Sequence, residues 1–335
     1  MPSPSRYDSG MEYRRCGHSG VLLPAIQLGL WQNFGATSPL ERSRELLLHA
    51  FDRGICAFDL ANNYGPPYGS AEETFGRVMA SDLRPFRDEL FIATKAGYDM
   101  WPGPYGNWGS RKYLTASLDQ SLRRMGLEYV DLFYSHRYDP ETPIEETLQA
   151  LVDAVRRGKA LYAGISRWPL EPTRKALAYL RERDVPCLAF QERINIFDRA
   201  PVDSGVERLM EEENVGMTIF SSLAQGLLTN RYLDGIPADS RAARGSHLTA
   251  SQITPAKLAQ IRALNEVASE RGETLARMAT AWVLARPAVA SVIAGCSSTA
   301  QLDDTLSALA SAPFTTAQLE RIEEIVRMEN LELRI

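Results

Sequence analysis

The chain has 335 residues, of which 44% are hydrophobic, a composition typical of a soluble globular protein with one large core. Its 37 basic and 42 acidic residues are well mixed and leave a net charge of −5, so no basic stripe indicates a nucleic-acid partner. No apolar run approaches the roughly 20 residues that cross a bilayer. The first ten residues lack the apolar region of a signal peptide. We therefore expect a cytoplasmic protein with no membrane partner.

The first predicted element is a short β-hairpin. Its extended runs are residues 11–16 and 21–24, around a Gly-His-Ser-Gly turn. Eight short apolar runs then alternate with amphipathic stretches. The predicted strands are residues 26–31, 56–61, 90–96, 130–136, 161–166, 187–191, 217–222 and 290–295.

Cap residues and glycines bound the predicted helices. The first helix is predicted to begin at Ser38 and Pro39 and to end at Gly54. Ser70 and Glu73 form a predicted capping box for the second. Residues 223–254 are predicted to be irregular. The later predicted helices are residues 111–125, 143–157, 170–183, 204–214, 255–271, 273–285, 299–309 and 316–328.

The alternation of strands and helices predicts a parallel sheet, and eight units favour a closed barrel. The predicted class is therefore α/β: a (β/α)8 TIM barrel with an N-terminal β-hairpin and extra C-terminal helices. We expect residues 11–335 to form one barrel domain and residues 1–10 to be a disordered tail. No Gly-x-Gly pair occurs, so the Rossmann fingerprint and the Walker A loop are both absent.

Four side chains capable of acid–base chemistry lie at, or a few residues past, the C-terminal ends of predicted strands two, three and four: Asp59, Tyr64, Lys95 and His136. In a parallel barrel these strand ends open on one rim, so we expect the four to meet. A lysine ammonium beside a tyrosine lowers the phenol pKa from its ordinary value near 10, and an aspartate holds the lysine charged. A histidine can orient a carbonyl oxygen. The set therefore predicts a general acid suited to hydride transfer to an aldehyde or ketone.

Other interpretations of these residues stay open on sequence alone. The aspartate could cap a helix, the tyrosine and histidine could be packing residues, and the lysine could reach solvent from its strand. Metal and hydrolase chemistry has little support, because no His-x-His, His-Glu-x-x-His or Gly-x-Ser-x-Gly motif occurs. No metal site is predicted. The four cysteines (Cys16, Cys56, Cys187 and Cys296) are widely spaced and predicted to be reduced thiols.

Longer motifs carry a family resemblance. FDLANNYG (residues 58–65), ATKAG (93–97), DLFYSH (131–136) and GISRW (164–168) resemble the aldo-keto reductases. Within that family the chain is most similar to the branch of bacterial L-glyceraldehyde-3-phosphate reductases and potassium-channel β-subunits. The resemblance implies NADPH binding without a Rossmann motif. It also implies that Asp59, Tyr64, Lys95 and His136 are a catalytic tetrad with Tyr64 as proton donor.

The resemblance extends to the cofactor residues. It implies that Ser166, Arg167 and Gln191 hold the nicotinamide amide and that Phe220 stacks under the ring. Ile194 and Thr305 depart from the tyrosine and asparagine common at their positions. The remaining implied cofactor contacts are Trp31; Ser221, Leu223 and Gln225 at the pyrophosphate; Arg231 and Arg241 at the 2′-phosphate; and Ser297, Gln301, Asp304 and Thr305 at the adenosine end.

Aromatic residues after the strand ends predict the mouth of a substrate pocket. They are Trp31, Phe34, Tyr98, Trp101, Tyr105, Trp108 and Tyr138. Arg137 and Arg111 are the candidate cations for a substrate phosphate. The resemblance implies short aldehydes such as L-glyceraldehyde 3-phosphate or methylglyoxal, NADPH in preference to NADH, and a homo-oligomer, tetrameric or octameric. The alternative function is a cofactor-binding regulatory subunit with slow turnover. His136 favours the reductase, because channel β-subunits generally carry asparagine there.

Overall fold

The structure is a computed structural model that describes residues 2–233, 235–237, 240–245 and 248–328, without the side chains of Arg241 and Arg244. The predicted N-terminal hairpin is present. It consists of β1 (Tyr13–Arg15) and β2 (Leu22–Pro24), paired antiparallel with Arg14 opposite Leu23.

Eight parallel strands follow and close into a barrel, because the last strand pairs with both the first and the seventh of the eight. This confirms the predicted (β/α)8 barrel. The strands are short and almost entirely buried; all six residues of the last one are buried, as expected for strands covered on both faces. They are β3 (Ile26–Gly29), β4 (Ala57–Asp59), β5 (Phe91–Ala96), β6 (Val130–Ser135), β7 (Ala160–Ser166), β8 (Cys187–Arg193), β9 (Gly216–Phe220) and β10 (Val289–Ala294).

Amphipathic helices cover the outside of the barrel. Ile144–Arg156 shows the pattern: it buries Leu148, Leu151 and Val152, at the spacing of one helix face. The α-helices are α1 (Leu40–Asp52), α2 (Ser70–Val78), α3 (Arg111–Met125), α4 (Ile144–Arg156), α5 (Leu170–Arg181), α6 (Ala200–Asp203), α7 (Val206–Glu212), α8 (Arg241–Arg244), α9 (Pro255–Glu270), α10 (Leu275–Leu284), α11 (Thr299–Leu306) and α12 (Thr316–Arg327). None of the described helices is both long and apolar enough to cross a bilayer.

The end of the barrel nearer the hairpin is packed shut by a cluster of small and aromatic side chains. Cys16 and Leu23 of the hairpin region join barrel residues such as Leu132 and Tyr134 in this cluster. A Cβ built on Gly164 would lie 2.6 Å from the Tyr134 ring, so the glycine makes room for that ring. With this end filled, the polar strand ends at the opposite rim are left to form a site.

The N-terminal segment differs from the disordered tail expected for residues 1–10. Arg6 lies in a 3₁₀ turn, Arg6–Asp8, and pairs with Glu89. Its guanidinium carbon lies 4.8 Å from the ring centroid of Phe51 and 5.1 Å from that of Phe86. These partners are far away in sequence, and composition alone does not show them.

Two predicted helix caps are wrong. The N-cap of α1 is Pro39 rather than Ser38, and the N-cap of α2 is Gly69, with Ser70 already inside the helix. The Ser70 hydroxyl donates to the carbonyl of Pro67 at 2.6 Å instead of accepting from a helix amide. Gly69 has φ of +89°, a left-handed conformation that favours glycine. The tight turn before α2 therefore determines where the helix begins.

Candidate active site

The four residues of the predicted tetrad meet at the rim formed by the C-terminal strand ends. Asp59 is the last residue of β4, Lys95 is the fifth residue of β5, and His136 follows directly after β6. Tyr64 lies in the loop between β4 and α2, where its amide donates to Ala61 at 3.0 Å. The register pairs Asp59 with Ala93 and Lys95 with Tyr134, which places adjacent strand ends side by side.

Lys95 is fully buried, and its ammonium has three acceptors. The Nζ atom lies 2.7 Å from Asp59 Oδ2, 2.6 Å from the carbonyl oxygen of Leu60 and 3.3 Å from the hydroxyl of Tyr64. An ammonium has three N–H groups, and three acceptors surround it. Burial lowers the pKa of Lys95, and the adjacent Asp59 carboxylate opposes that shift. The Lys95 ammonium, paired with Asp59, therefore donates a hydrogen bond to the Tyr64 hydroxyl.

Burial raises the pKa of Tyr64 well above its ordinary value, and the charge of Asp59 adds to the rise. This is opposite to the lowered pKa expected from the neighbouring ammonium. The physical reason is that loss of water around the hydroxyl disfavours the tyrosinate more than the lysine favours it. Tyr64 therefore holds its proton at neutral pH, which is the state that a proton donor requires.

His136 is the neutral member of the site. Burial lowers its pKa well below 6.5, and the charges of Lys95, Arg167 and Arg137 add to the shift. Its ring meets Tyr64 edge-on, with 5.8 Å between centroids, and Tyr98 edge-on at 4.7 Å. Nδ1 is buried with no hydrogen-bond partner. A neutral imidazole can donate one hydrogen bond to a carbonyl oxygen without supplying the proton.

Two residues predicted to hold the nicotinamide amide lie next to this tetrad. Ser166 pairs in register with Gln191, and both are buried. The Ser166 hydroxyl has no hydrogen-bond partner, whereas Gln191 Nε2 donates to Asp59 Oδ1 at 2.8 Å. A buried hydroxyl without a partner is costly. The residues present fit a carboxamide, since such a ligand offers a donor and an acceptor to Ser166.

The segment after β9 carries the residues predicted at the pyrophosphate. Ser221, Ala224 and Gln225 have φ values of +57°, +47° and +60°. Left-handed residues other than glycine are strained and concentrate at functional sites. Gln225 Nε2 donates to the Ser221 hydroxyl at 3.2 Å, and Asn195 Nδ2 donates to the Ser221 carbonyl at 3.0 Å. Asn195 was not among the predicted cofactor residues, although it stands four residues after Gln191. Phe220, at the end of β9, and Leu223 are partly exposed there.

The residues predicted at the adenosine end follow β10, with Ser297 just before α11 and the other three inside that helix. Gln301 Oε1 accepts from the Ser297 amide at 2.9 Å. Thr305 is buried and donates to the Gln301 carbonyl at 2.9 Å, so its hydroxyl has an internal partner, while Asp304 is exposed. Arg42 of α1 donates to the Ser297 carbonyl at 2.9 Å, a long-range contact with no local sequence signal. Arg231, predicted at the 2′-phosphate, lies in the 3₁₀ turn Asn230–Tyr232. Arg241 is predicted at the same phosphate, and its side chain lies outside the described part of the chain.

Two of the aromatic residues predicted at the substrate pocket adjoin the tetrad, and two others pack against different parts of the protein. Trp31 is 6.5 Å from Tyr64 between ring centroids, and Tyr98 contacts His136, so both adjoin the tetrad. Trp101 is partly buried and packs on Tyr113, with 5.1 Å between ring centroids. Phe34 is only 1% exposed in the core, which gives it a packing role instead of a place in the pocket.

The remaining residues predicted at the mouth of the pocket differ in their surroundings. Arg137 lies beneath Trp108, with 3.6 Å from its guanidinium carbon to the ring centroid. Tyr138 packs on Trp168 at 5.3 Å. Tyr105 is exposed beside Lys112. Arg111 pairs with Asp153 on the helical face, which argues against it as the phosphate cation. No group of three or more His, Cys, Asp or Glu side chains that could hold a metal occurs among the residues described.

Comparison with known proteins agrees with this geometry. The model of the "Aldo/keto reductase family" matches residues 25–327. The chain is 52% identical to L-glyceraldehyde 3-phosphate reductase of Escherichia coli K12, an alignment that covers 99% of this chain and 97% of that protein. It is 34% identical to a probable voltage-gated potassium channel subunit beta of Oryza sativa subsp. japonica, over 95% of this chain and 97% of that protein. The chain therefore belongs to the aldo/keto reductase family and is an oxidoreductase that acts on carbonyl groups.

Proposed function

We propose that this enzyme uses NADPH to reduce short aldehydes to alcohols, with Tyr64 as proton donor. L-Glyceraldehyde 3-phosphate is the first candidate substrate, and methylglyoxal-like compounds are the next. The substrate class is supported by the 52% identity to a protein named for that reaction, over nearly the full length of both chains. The single observation that carries the mechanism is the contact between Lys95 Nζ and the Tyr64 hydroxyl, 3.3 Å apart.

When bound, the reduced nicotinamide supplies the hydride that adds to the carbonyl carbon. Tyr64 then donates its proton to the carbonyl oxygen as negative charge develops there. Lys95 stabilises the tyrosinate that is left, and Asp59, 2.7 Å from the lysine nitrogen, keeps that ammonium charged and oriented. His136, neutral at pH 7, orients the carbonyl by a hydrogen bond. One hydride and one proton convert the aldehyde to the alcohol.

The assignment of NADPH rests on this chain's own residues. Ser166 and Gln191 fit the carboxamide, and Phe220 offers a ring face for stacking. The strained turn from Ser221 to Gln225 suits a pyrophosphate. For the 2′-phosphate that distinguishes NADPH from NADH, the family resemblance implies Arg231 and Arg241, and an arginine suits a phosphate.

A regulatory subunit with slow turnover is the less supported alternative. The relatives named as channel subunits are 34% identical or less, against 52% for the reductase. Asp59, Lys95 and Tyr64 are also in hydrogen-bond contact, as a proton-donating site requires. We further propose a cytoplasmic, tetrameric or octameric enzyme with residues 11–335 as one domain; four free thiols support a reducing compartment.

A panel of aldehydes tests the proposal. Purified enzyme is given glyceraldehyde 3-phosphate, glyceraldehyde, methylglyoxal and an aromatic aldehyde, with NADPH or NADH, and absorbance follows cofactor oxidation. We expect the highest kcat/KM with a three-carbon aldehyde and NADPH. The variant Arg231→Met should raise the KM for NADPH and leave that for NADH unchanged. No turnover of any carbonyl substrate, or equal use of the two cofactors, would contradict the proposal.

A further inference from the structure

We propose that Arg137 and Arg167, both in contact with Tyr98, form a subsite for the anionic end of a small substrate, which a phosphate fits best. The inference rests on the proposed function, since it names the part of that site that would select a phosphorylated aldehyde over a neutral one. It also gives Arg167 a different role from the nicotinamide contact that the resemblance implies.

Tyr98 links the two arginines to the carbonyl site. It lies two residues after β5, and its ring meets the His136 ring edge-on at 4.7 Å. The guanidinium carbon of Arg137 lies 4.3 Å from the Tyr98 ring centroid. Arg167 Nη1 donates to the Tyr98 hydroxyl at 3.0 Å. One side chain thus connects the histidine that faces the carbonyl with two cations, a compact arrangement suited to a short molecule with an anionic end.

Neither guanidinium group forms an ion pair with a carboxylate of the described residues. Within the described part of the chain, no carboxylate lies within 4 Å of either one, whereas Arg111 pairs with Asp153 and Arg193 pairs with Asp198. Both charges reach the site, because Arg167 and Arg137 each lower the pKa of His136. Glu192 feels the charge of Arg167 without forming an ion pair with it. Two cations that contact the same tyrosine and form no ion pair favour binding of an anion.

Arg137 is fixed in place before any ligand arrives. Its Nε donates to the Gly97 carbonyl at 2.7 Å, and its Nη2 donates to Asn107 Oδ1 at 2.8 Å. The guanidinium carbon also contacts two rings, at 4.3 Å from the centroid of Tyr98 and 3.6 Å from that of Trp108. An arginine held in this way loses little conformational entropy on binding, and its remaining N–H groups suit a phosphate oxygen.

The backbone conformation at this subsite is unusual as well. Arg167 has φ of +57° and Trp108 has φ of +70°, the left-handed region that residues other than glycine rarely adopt. The Arg167 amide donates to the Gln191 carbonyl at 3.1 Å, which holds the turn in place. The side chain then extends to Tyr98. Backbone strain of this kind is concentrated at functional sites.

The first experiment compares a phosphorylated with a neutral aldehyde at saturating NADPH. For Arg167→Met, kcat/KM for glyceraldehyde 3-phosphate should fall about tenfold to a hundredfold, as expected for loss of a charged hydrogen bond. The value for glyceraldehyde should stay within about threefold. Tyr98→Phe, which keeps the ring and removes the hydroxyl that holds Arg167, should give a smaller loss. Arg111→Met is the matched control and should change neither substrate.

The KM for NADPH separates the two possible roles of Arg167. If Arg167→Met raises the KM for NADPH and slows both aldehydes equally, the residue serves the nicotinamide and the proposal is wrong. An unchanged ratio between the two aldehydes would overturn it too. Arg167→Lys should recover part of the preference, because the positive charge is retained.

Binding of inorganic phosphate provides a readout without turnover. Calorimetry on the protein saturated with NADP⁺, so that the cofactor's own phosphate sites are filled, should show phosphate binding that Arg167→Met weakens about tenfold or more. If glyceraldehyde is reduced but phosphate does not bind the wild-type protein, the subsite is refuted and the proposed function stands. If phosphate binds in an Arg167-dependent way but no aldehyde is reduced, the proposed function fails and the subsite stands.

Discussion

Lys95 Nζ lies 2.7 Å from Asp59 Oδ2 inside the barrel, where the lysine side chain is 0% and the aspartate side chain 3% exposed. Breaking such a pair by removing one partner leaves a buried charge without compensation, which costs about 3–5 kcal/mol. The same lysine contacts the Tyr64 hydroxyl at 3.3 Å, so the proposed proton transfer depends on a pair that also stabilises the fold.

Lys95→Met should therefore lower the free energy of unfolding by about 3–5 kcal/mol, because Asp59 is left as an unpaired buried carboxylate. Chemical denaturation followed by fluorescence measures this. Lys159→Met is the control: Lys159 pairs with Asp119, but the two side chains are 35% and 34% exposed. Exposed pairs contribute about 0–1 kcal/mol. Equal losses for the two variants would contradict the role given to the buried pair.

His136 should give the protein a specific sensitivity to acid. Its folded pKa lies below the unfolded value near 6.5, so the unfolded chain takes up a proton first as the pH falls. The free energy of unfolding therefore falls as the pH drops below about 6.5, and this fall continues until the pH reaches the pKa of the folded state. We expect His136→Asn to gain stability relative to wild type between pH 7 and pH 5 in parallel thermal melts. A constant difference across that range would show that the imidazole titrates normally.

Gly164→Ala should destabilise the barrel interior. The added Cβ would lie 2.6 Å from the Tyr134 ring and 2.9 Å from the Ala189 carbonyl oxygen. Overpacking of this kind costs about 1–3 kcal/mol. Gly20→Ala is the control, because a Cβ added at Gly20 would meet nothing within 4 Å. Differential scanning calorimetry of both variants tests the prediction, and an unchanged melting temperature for Gly164→Ala would contradict the packing described.

The barrel and the tetrad were predictable from the sequence because both follow from topology. Once β4, β5 and β6 are parallel neighbours, Asp59, Lys95 and His136 must share a rim. The spacing of apolar residues is a local signal that reveals strands of this kind. The predicted convergence of the four residues needed no knowledge of side-chain conformations.

What the sequence did not predict depends on contacts between distant residues. The pairing of Arg6 with Glu89, the burial of Phe34 and the partner of Arg111 are all set by packing. The raised pKa of Tyr64 is of the same kind, since burial outweighs the neighbouring ammonium only once the surroundings of the hydroxyl are known. The N-cap at Gly69 reflects a tight turn that overrides the local serine signal.

The most direct test of Tyr64 as the proton donor is the rate of aldehyde reduction by Tyr64→Phe at saturating NADPH. Tyr68→Phe is the control. Tyr68 lies in the same loop and is 57% exposed. We predict that Tyr64→Phe lowers kcat by about 10²–10⁴-fold while NADPH binding, followed by fluorescence, is unchanged. Tyr68→Phe should keep the wild-type rate. A Tyr64→Phe enzyme that retains most of its kcat would contradict the claim that this phenol donates the proton.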